Sequence, residues 1–244
     1  MISLNRPACT LLLIILAALA TSCTPAPPTT QSVTQSVTLR FTAHIDGAPL
    51  IFDDARYDAS VGEYTFSIQN FRFIVSNIQL EGDNQTYLEP DSYHLVRFDT
   101  SEDGHRIELE NVPLESVDRI GFSLGVDGEA NGSIETRGAL DPNSPMAWNW
   151  EVGYKFLVFE GRLHSEQGVR PLVYHVGFNE NRRDYSFNLP DEAASELLFE
   201  VDIMKLFDGK TPIDIGELPT VKFDRGDAAI MANNYAHMVS LSSN

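Results

Sequence analysis

The most regular pattern of hydrophobic and polar positions begins at Val37. Apolar side chains recur at every second position from Val37 to Ile45, and the residues between them, such as His44, are polar. A period of two is typical of a strand with one face in a core and the other in solvent. The run ends at Asp46-Gly47, a pair that favours tight turns. The pattern therefore predicts a half-buried strand over residues 37–45.

Shorter runs of the same kind follow, separated by segments rich in Gly, Asn, Asp and Pro. They predict strands over residues 63–73, 73–80, 93–98, 106–109, 119–126, 171–178, 185–189 and 197–203. Residues 127–145 are predicted to be a long loop. The first long stretch of helix formers is 227–238, which predicts a short C-terminal helix with Asp227 as its N-cap. This arrangement favours an all-β fold, an antiparallel sandwich or barrel, and of these an antiparallel β-sandwich of Greek-key type is the prediction.

The strongest strand signal is the stretch from Met146 to Gly161, which contains both tryptophans of the chain. In a single strand, Trp148 and Trp150 would share one face with Val152, and their Cα atoms would lie roughly 7 Å apart. Two indoles in register are typical either of a core plug or of a binding site. The pattern alone leaves both interpretations open.

The N-terminus predicts export and lipidation. A positively charged start and a ten-residue apolar run, 11–20, resemble a signal peptide and are too short to span a bilayer. Small residues directly before Cys23 resemble a bacterial lipoprotein box, which predicts cleavage before Cys23 and a lipid on its thiol; an ordinary signal peptide is the alternative. The predicted organisation is a leader over 1–22, a flexible Pro/Thr tether over 23–36 and one domain over 37–244.

Composition and motifs exclude several classes of function. The formal net charge of −18 argues against a nucleic-acid partner, which requires a basic surface. The two cysteines, Cys9 and Cys23, leave the predicted mature domain without a disulfide. The sequence lacks the nucleophile elbow, P-loop and zinc-hydrolase motifs, so a non-catalytic protein is predicted. Residues 126–132 carry oxygen ligands but do not fit a calcium loop, and a Gly-rich turn is the preferred interpretation.

Histidines are the strongest candidates for metal ligands. Two of them, His44 and His175, lie near the ends of strong predicted strands, and His175 falls in the expected hairpin partner of the Trp stretch. Imidazoles without thiolates suit copper among the transition metals. The other histidines are His94, His105, His164 and His237.

Several segments together resemble the MbnP-like family of periplasmic and surface copper-binding proteins associated with methanobactin operons. The most specific is Trp-x-Trp-x-x-Gly-Tyr at 148–154, followed by Glu160-Gly161. The other matching segments are 41–50, 71–80, 125–127 with Asn131, 138–141, 146–147, 174–177 and 233–238.

The resemblance implies a β-sandwich that binds one copper, as Cu(I), for copper homeostasis. Members of the family use two histidines and a tryptophan oxidised to kynurenine, and a di-haem MauG-like peroxidase performs that oxidation. Carried over, the ligands would be His44, His175 and a kynurenine derived from Trp148 or Trp150, with Trp148 preferred. The resemblance and Cys23 together imply a protein of the bacterial cell envelope, anchored at the outer membrane.

Two other functions fit the residues without a metal. A glycan-binding or adhesive sandwich would use the Trp148 and Trp150 rings as a stacking platform. A purely structural envelope module would bury both rings in its core.

Overall fold

The computed structural model describes residues 34–82, 84–98, 104–149, 151–190 and 195–242, which group into one structural unit. The predicted leader, Cys23 and Trp150 lie outside the described residues. Neither helix of the described part is long and apolar enough to cross a membrane.

Strands dominate the described chain. In chain order they are β1 (Gln35–Ile45), β2 (Ala48–Pro49), β3 (Tyr57–Asp58), β4 (Thr65–Gly82), β5 (Gln85–Leu88), β6 (Tyr93–Arg97), β7 (His105–Val112), β8 (Arg119–Leu124), β9 (Ala147–Asn149), β10 (Gly153–Ser165), β11 (Gly168–Gly177), β12 (Arg183–Asn188), β13 (Glu196–Asp202), β14 (Thr220–Val221) and β15 (Val239–Leu241). The α-helices are α1 (Gly128–Asn131) and α2 (Arg225–Tyr235), and single 3-10 turns occur at Asn179–Asn181 and Ile203–Leu206.

These strands form two sheets. In the five-stranded sheet the order is β15-β13-β1-β2, and β7 also pairs with β1. In the ten-stranded sheet the order is β12-β8-β4-β10-β11-β14; β3, β5 and β6 pair with β4, and β9 pairs with β10. The all-β, sandwich-like architecture is therefore confirmed. Two pairs, β1 with β13 and β11 with β14, are parallel, so the sheets are mixed rather than antiparallel throughout.

Phenylalanines form the contact between the two sheets. Phe41 on β1 packs against Phe73 on β4, with ring centroids 6.2 Å apart, and against Phe122 on β8, with centroids 5.7 Å apart. All three rings are almost completely buried. Replacing such a ring with alanine typically costs about 3–5 kcal/mol of stability. The core thus lies between the sheets, where these rings meet.

Strand β4 is continuous where the sequence predicted two strands meeting at Phe73. No Gly or Pro occurs between Thr65 and Leu80, so nothing in the sequence stops the strand there. The chain instead accommodates Asn77 with a positive φ of 53°, next to a register shift in the pairing with β8. Such an irregularity bends a strand without ending it.

The helices also correct the prediction. The C-terminal helix is present, but α2 begins at Arg225, and its N-cap is Asp224 rather than Asp227. The Asp224 side chain accepts a hydrogen bond from the Asp227 backbone N–H, 2.9 Å away, which places Asp227 in the first turn. The predicted loop over 127–145 contains the one-turn helix α1, capped by the Asp127 carboxylate.

Candidate metal centre

The Trp stretch is a hairpin and not one strand. Trp148 lies on β9, the chain reverses, and β10 begins at Gly153, which pairs with Asn149. Gly153 has a φ of +83°, and a Cβ on it would lie 2.3 Å from the backbone oxygen of Asn131. Only glycine fits this position. The prediction that Trp148 shares a strand face with Val152 is therefore wrong, because the backbone turns between them.

The side chain of Asn131, at the end of α1, holds this turn in place through hydrogen bonds. Its side-chain amide donates to the Val152 carbonyl at 3.0 Å and to the Asn179 side-chain oxygen at 2.8 Å. Its own side-chain oxygen accepts from the Tyr154 backbone N–H at 2.8 Å. Asn131 is only 6% exposed, so these bonds form away from water. They hold the position from which β9 presents Trp148.

Trp148 lies in an aromatic group on the outer side of the ten-stranded sheet. Its indole stacks on Phe223, with centroids 4.5 Å apart and planes at 26°. It also contacts Phe178, at 5.8 Å between centroids. Phe223 is 57% exposed and Trp148 is half-buried. Trp148 is therefore neither a plug in the central core nor a freely exposed platform, since Phe223 covers one of its faces.

The third aromatic neighbour of Trp148 is His175 on β11. The two ring centroids are 6.4 Å apart and the planes meet at 80°, an edge-to-face contact. Two residues further along β11, a Cβ on Gly177 would lie 3.2 Å from the benzo edge of Trp148 and 2.7 Å from the Tyr154 carbonyl. Gly177 thus allows the indole to lie against the strand beside His175.

A carboxylate and an amide support His175. Its Nε2 is 2.8 Å from Oε1 of Glu160 on β10, and Asn70 on β4 donates from its side-chain amide to the other Glu160 oxygen at 2.9 Å. Burial favours a higher pKa for Glu160, but the hydrogen bonds from Asn70 and His175 outweigh it, so its pKa lies below the usual range. Burial lowers the pKa of His175 despite the Glu160 carboxylate. At neutral pH the pair is therefore a neutral imidazole and a carboxylate anion.

His44 lies elsewhere. It alternates with the buried Ala43 and Ile45 on β1, so its side chain leaves the five-stranded sheet on the outer side. His175 alternates with the buried Tyr174 and Val176 and leaves the ten-stranded sheet on its outer side. The two imidazoles therefore project from different faces of the sandwich.

The position of His44 argues against its predicted role as a ligand of the same metal as His175. The Nδ1 atom of His44 is buried and has no hydrogen-bond partner among the described residues, so no other group occupies this nitrogen. Metal–nitrogen bonds of about 2 Å do not bridge two faces of a sandwich. The fold brings together His175 and Trp148 and does not bring His44 to them.

A cavity of about 340 Å³ opens on the hairpin beside Trp148. Its wall includes Ile134 and Pro142 from the preceding loop, together with Ala147, Trp148 and Tyr154. The indole therefore has free space beside it as well as the His175 contact.

The side chains around Trp148 determine which metal ion this site could bind. Among the described residues, no group of three or more His, Cys, Asp and Glu side chains is arranged to hold a metal ion. The unmodified site offers one imidazole and an indole whose nitrogen lone pair belongs to the ring. A metal that accepts few, nitrogen-type ligands fits this set once the tryptophan supplies a second donor, whereas oxygen-preferring cations do not.

The fold and this site define a class: an all-β sandwich with an aromatic and imidazole site on the outer face of its larger sheet. The chain belongs to the MbnP family, whose family model matches residues 34–223. A solved structure, MbnP from Methylosinus trichosporium, matches with a TM-score of 0.54 and 20% sequence identity, over 72% of this chain and 78% of that one. Among curated protein sequences no match was found. The family resemblance is thus confirmed, and the structural match supports the fold.

Proposed function

We propose that this protein is a non-catalytic copper-binding protein of the cell envelope, and that Trp148 and His175 form the centre of its metal site. The observation that carries the proposal is the contact of the Trp148 indole with an imidazole that Glu160 supports from behind. Membership of the MbnP family favours a copper-associated role. Imidazole is a common ligand of copper, and a carboxylate on its other nitrogen is the usual arrangement at metal sites.

In this proposal Trp148 becomes a ligand by oxidation to kynurenine, with net loss of one carbon and gain of one oxygen. Oxidative cleavage of the indole C2–C3 bond, with oxygen taken from water, gives a ketone and an N-formyl group. Hydrolysis of that group releases the lost carbon as formate and frees an aniline-type amine beside the ketone. A partner of the MauG-like di-haem peroxidase class would supply the oxidising equivalents. The half-buried ring, stacked on the exposed Phe223, lies close enough to the surface for such a partner to act on it. Copper, when bound, would be the cargo of the protein, either as a redox-active ion or as an ion that is passed on.

The second histidine ligand implied by the family resemblance is His44. Its place on the outer face of the other sheet argues against a shared metal with His175. The proposed site therefore rests on Trp148 and His175, and Trp150 stays a candidate for modification by resemblance alone. The His44→Ala variant is expected to bind copper with little change in affinity.

The experiment compares copper binding by variants of the protein co-expressed with the haem partner. Competition with a Cu(I) chelator measures affinity, and mass spectrometry of the Trp148 peptide detects the exchange of carbon for oxygen. Loss of a residue that hydrogen-bonds a metal ligand typically weakens metal binding by about 10- to 100-fold. We expect His175→Ala to weaken copper binding by more than this, because it removes the ligand itself. His164→Ala, another strand histidine near the end of β10, serves as the matched control. An unmodified Trp148 peptide together with native copper affinity in His175→Ala would overturn the proposal.

We also propose that the chain is exported and anchored by a lipid on Cys23, on the outer membrane. The residues before Cys23 support this reading of the leader. Metabolic labelling with a fatty acid, followed by fractionation of the envelope, tests it. Cys23→Ala is expected to lose the label and to leave the membrane fraction; a labelled or membrane-bound variant would contradict the anchor.

A further inference from the structure

Three polar side chains on three strands form a chain of hydrogen bonds that ends at the candidate ligand. Asn70 on β4 is the direct cross-strand partner of Glu160 on β10. Its Nδ2 lies 2.9 Å from Oε2 of Glu160, and Oε1 of the same carboxylate lies 2.8 Å from Nε2 of His175. Both carboxylate oxygens are therefore engaged, one by each neighbouring strand.

The chemistry of these groups fixes where the imidazole proton lies. An ionised carboxylate has only acceptor sites, so the His175 nitrogen that contacts it must carry a hydrogen. In a neutral imidazole the other nitrogen then keeps its lone pair. Among the described residues, no hydrogen bond engages Nδ1 of His175. The side chain is only 13% exposed, so protein groups rather than bulk water control its orientation.

We infer that Glu160, braced by Asn70, is a positioning residue that holds His175 as its Nε2–H tautomer and leaves Nδ1 as the metal-binding nitrogen. The inference rests on the proposed copper site, in which His175 is a ligand, and it names the ligating atom and the two residues that prepare it. A carboxylate in this place fixes the ring orientation and raises the basicity of the free nitrogen.

The hydrogen bond from Asn70 also restricts the conformation of the Glu160 side chain. A Glu side chain carries several rotatable bonds, and fixing it costs conformational entropy. The hydrogen bond from Asn70 holds Oε2, which leaves Oε1 directed at His175. Removal of the Asn70 amide should therefore loosen the imidazole without removing any group that contacts it.

The first test uses the metal-free protein and reads the tautomer directly. Long-range ¹H–¹⁵N correlation spectra distinguish protonated from unprotonated imidazole nitrogens. We expect wild-type His175 to show a protonated Nε2 and an unprotonated Nδ1, and Glu160→Gln to show a mixture of tautomers. A protonated Nδ1 in the wild-type protein would overturn the inference whatever the copper affinity.

The second test measures Cu(I) affinity of the protein from co-expression with the haem partner. Glu160→Gln is expected to weaken binding by about 10- to 100-fold, as outer-sphere substitutions typically do. Asn70→Ala is expected to weaken it less, and it provides a second variant should Glu160→Gln fold poorly. Glu81→Gln is the matched control, because Glu81 also lies on the ten-stranded sheet and accepts a side-chain amide hydrogen bond, from Gln79 at 2.7 Å.

The outcomes separate the inference from the proposed function. If His175→Ala loses copper while Glu160→Gln and Asn70→Ala both retain native affinity, the positioning role is wrong and the copper site stands. If His175→Ala binds copper as tightly as the wild type, the proposed site fails and the inference fails with it. Loss of affinity in Glu160→Gln, with native affinity in Glu81→Gln and the expected tautomer, supports both.

Discussion

The edge of one aromatic ring meets the face of the other where Trp148 contacts His175, with planes at 80° and centroids 6.4 Å apart. The two residues lie on strands that do not pair with each other. Trp148 is on β9 and His175 on β11, and β10 pairs with both. The contact therefore depends on the β9–β10 turn as much as on the sheet. This dependence makes the site sensitive to the few residues that shape the turn and the strand beneath the indole.

Gly177 is the residue on which the approach of the indole depends most directly. In Gly177→Ala the new methyl group would lie 2.7 Å from the Tyr154 carbonyl and 3.2 Å from Trp148, so one of them must move. We expect a loss of about 1–3 kcal/mol in the free energy of unfolding, as for other overpacked sites. In a Trp150→Phe background, the fluorescence of Trp148 should shift to the red as the ring becomes more exposed.

Gly121 provides the control for this substitution. It also lies in a strand of the same sheet, but a Cβ there would lie 3.5 Å from its nearest neighbour, an ordinary van der Waals distance. Gly121→Ala should therefore leave stability unchanged or raise it by about 0.4–1 kcal/mol through the unfolded state. Equal effects of the two substitutions on Trp148 fluorescence would contradict the proposed packing.

The stack of Trp148 on Phe223 should be measurable as a coupling energy. Offset-stacked aromatic pairs contribute about 0.5–1.5 kcal/mol beyond the area that they bury. A double-mutant cycle with Trp148→Ala and Phe223→Ala, followed by chemical denaturation, should give a coupling in this range. A cycle of Trp148→Ala with Phe187→Ala is the control, since Phe187 packs against Phe122 and Phe199 instead. Similar couplings in both cycles would show that the stack contributes nothing specific.

The fold was predictable from the sequence because alternation survives wherever one strand face is buried. Residues 37–45 alternate strictly, and β1 has the predicted burial at each of these positions. In β11 the same alternation appears from Leu172 to Val176, which is why the hairpin partner of β10 was predictable. The Trp stretch misled the prediction because its alternation continues through a turn. What breaks the strand is Gly153 at positive φ, held by Asn131 from a distant loop.

The candidate site was predictable only in part. His175 and Trp148 stand out by residue type, and the structure places their rings in contact, while their role as ligands stays a prediction. Glu160 and Asn70 were not recognised as supporting residues, because carboxylates and amides are common at outward strand positions in so acidic a chain. Their role depends on the register between β4 and β10, which pairs them directly. The Glu160-Gly161 motif was the available signal, but it gave no reason for the glutamate.

Asn131 should be among the polar residues most important for stability. Alanine at this position removes all three side-chain hydrogen bonds and leaves the buried Tyr154 N–H without an acceptor. Each unsatisfied buried group costs about 1–3 kcal/mol, so we expect a total loss of about 2–4 kcal/mol in thermal or chemical unfolding. Asn143→Ala is the control, since Asn143 is exposed and, within the part of the chain that the structure describes, bonds only Asp141 in its own turn. A loss no larger than that of the control would mean that Asn131 does not hold the turn.

The hydrogen bond from Tyr93 to Asp127 should make stability depend on pH in acid. The hydroxyl of Tyr93 lies 2.5 Å from the carboxylate that caps α1. Burial favours a higher pKa for Asp127, but the hydrogen bonds from Tyr93 and from the Ala130 backbone outweigh it, and the net pKa is lowered. A group whose pKa is lowered by folding stabilises the protein above its ordinary pKa. That contribution is lost as the pH falls through the lower folded value.

Tyr93→Phe should therefore destabilise the protein most at neutral pH, by about 1.5–3 kcal/mol for a hydrogen bond to a charged group. The difference from the wild type should shrink as the pH falls below the ordinary pKa of an aspartate, because protonated Asp127 no longer gains from the bond. Urea unfolding between neutral pH and strong acid measures this. Tyr174→Phe is the matched control: its hydroxyl donates to the Leu218 backbone carbonyl at 2.6 Å, an acceptor that does not titrate in this range. Its cost should stay constant with pH, and a constant cost for Tyr93→Phe as well would rule out the charged acceptor.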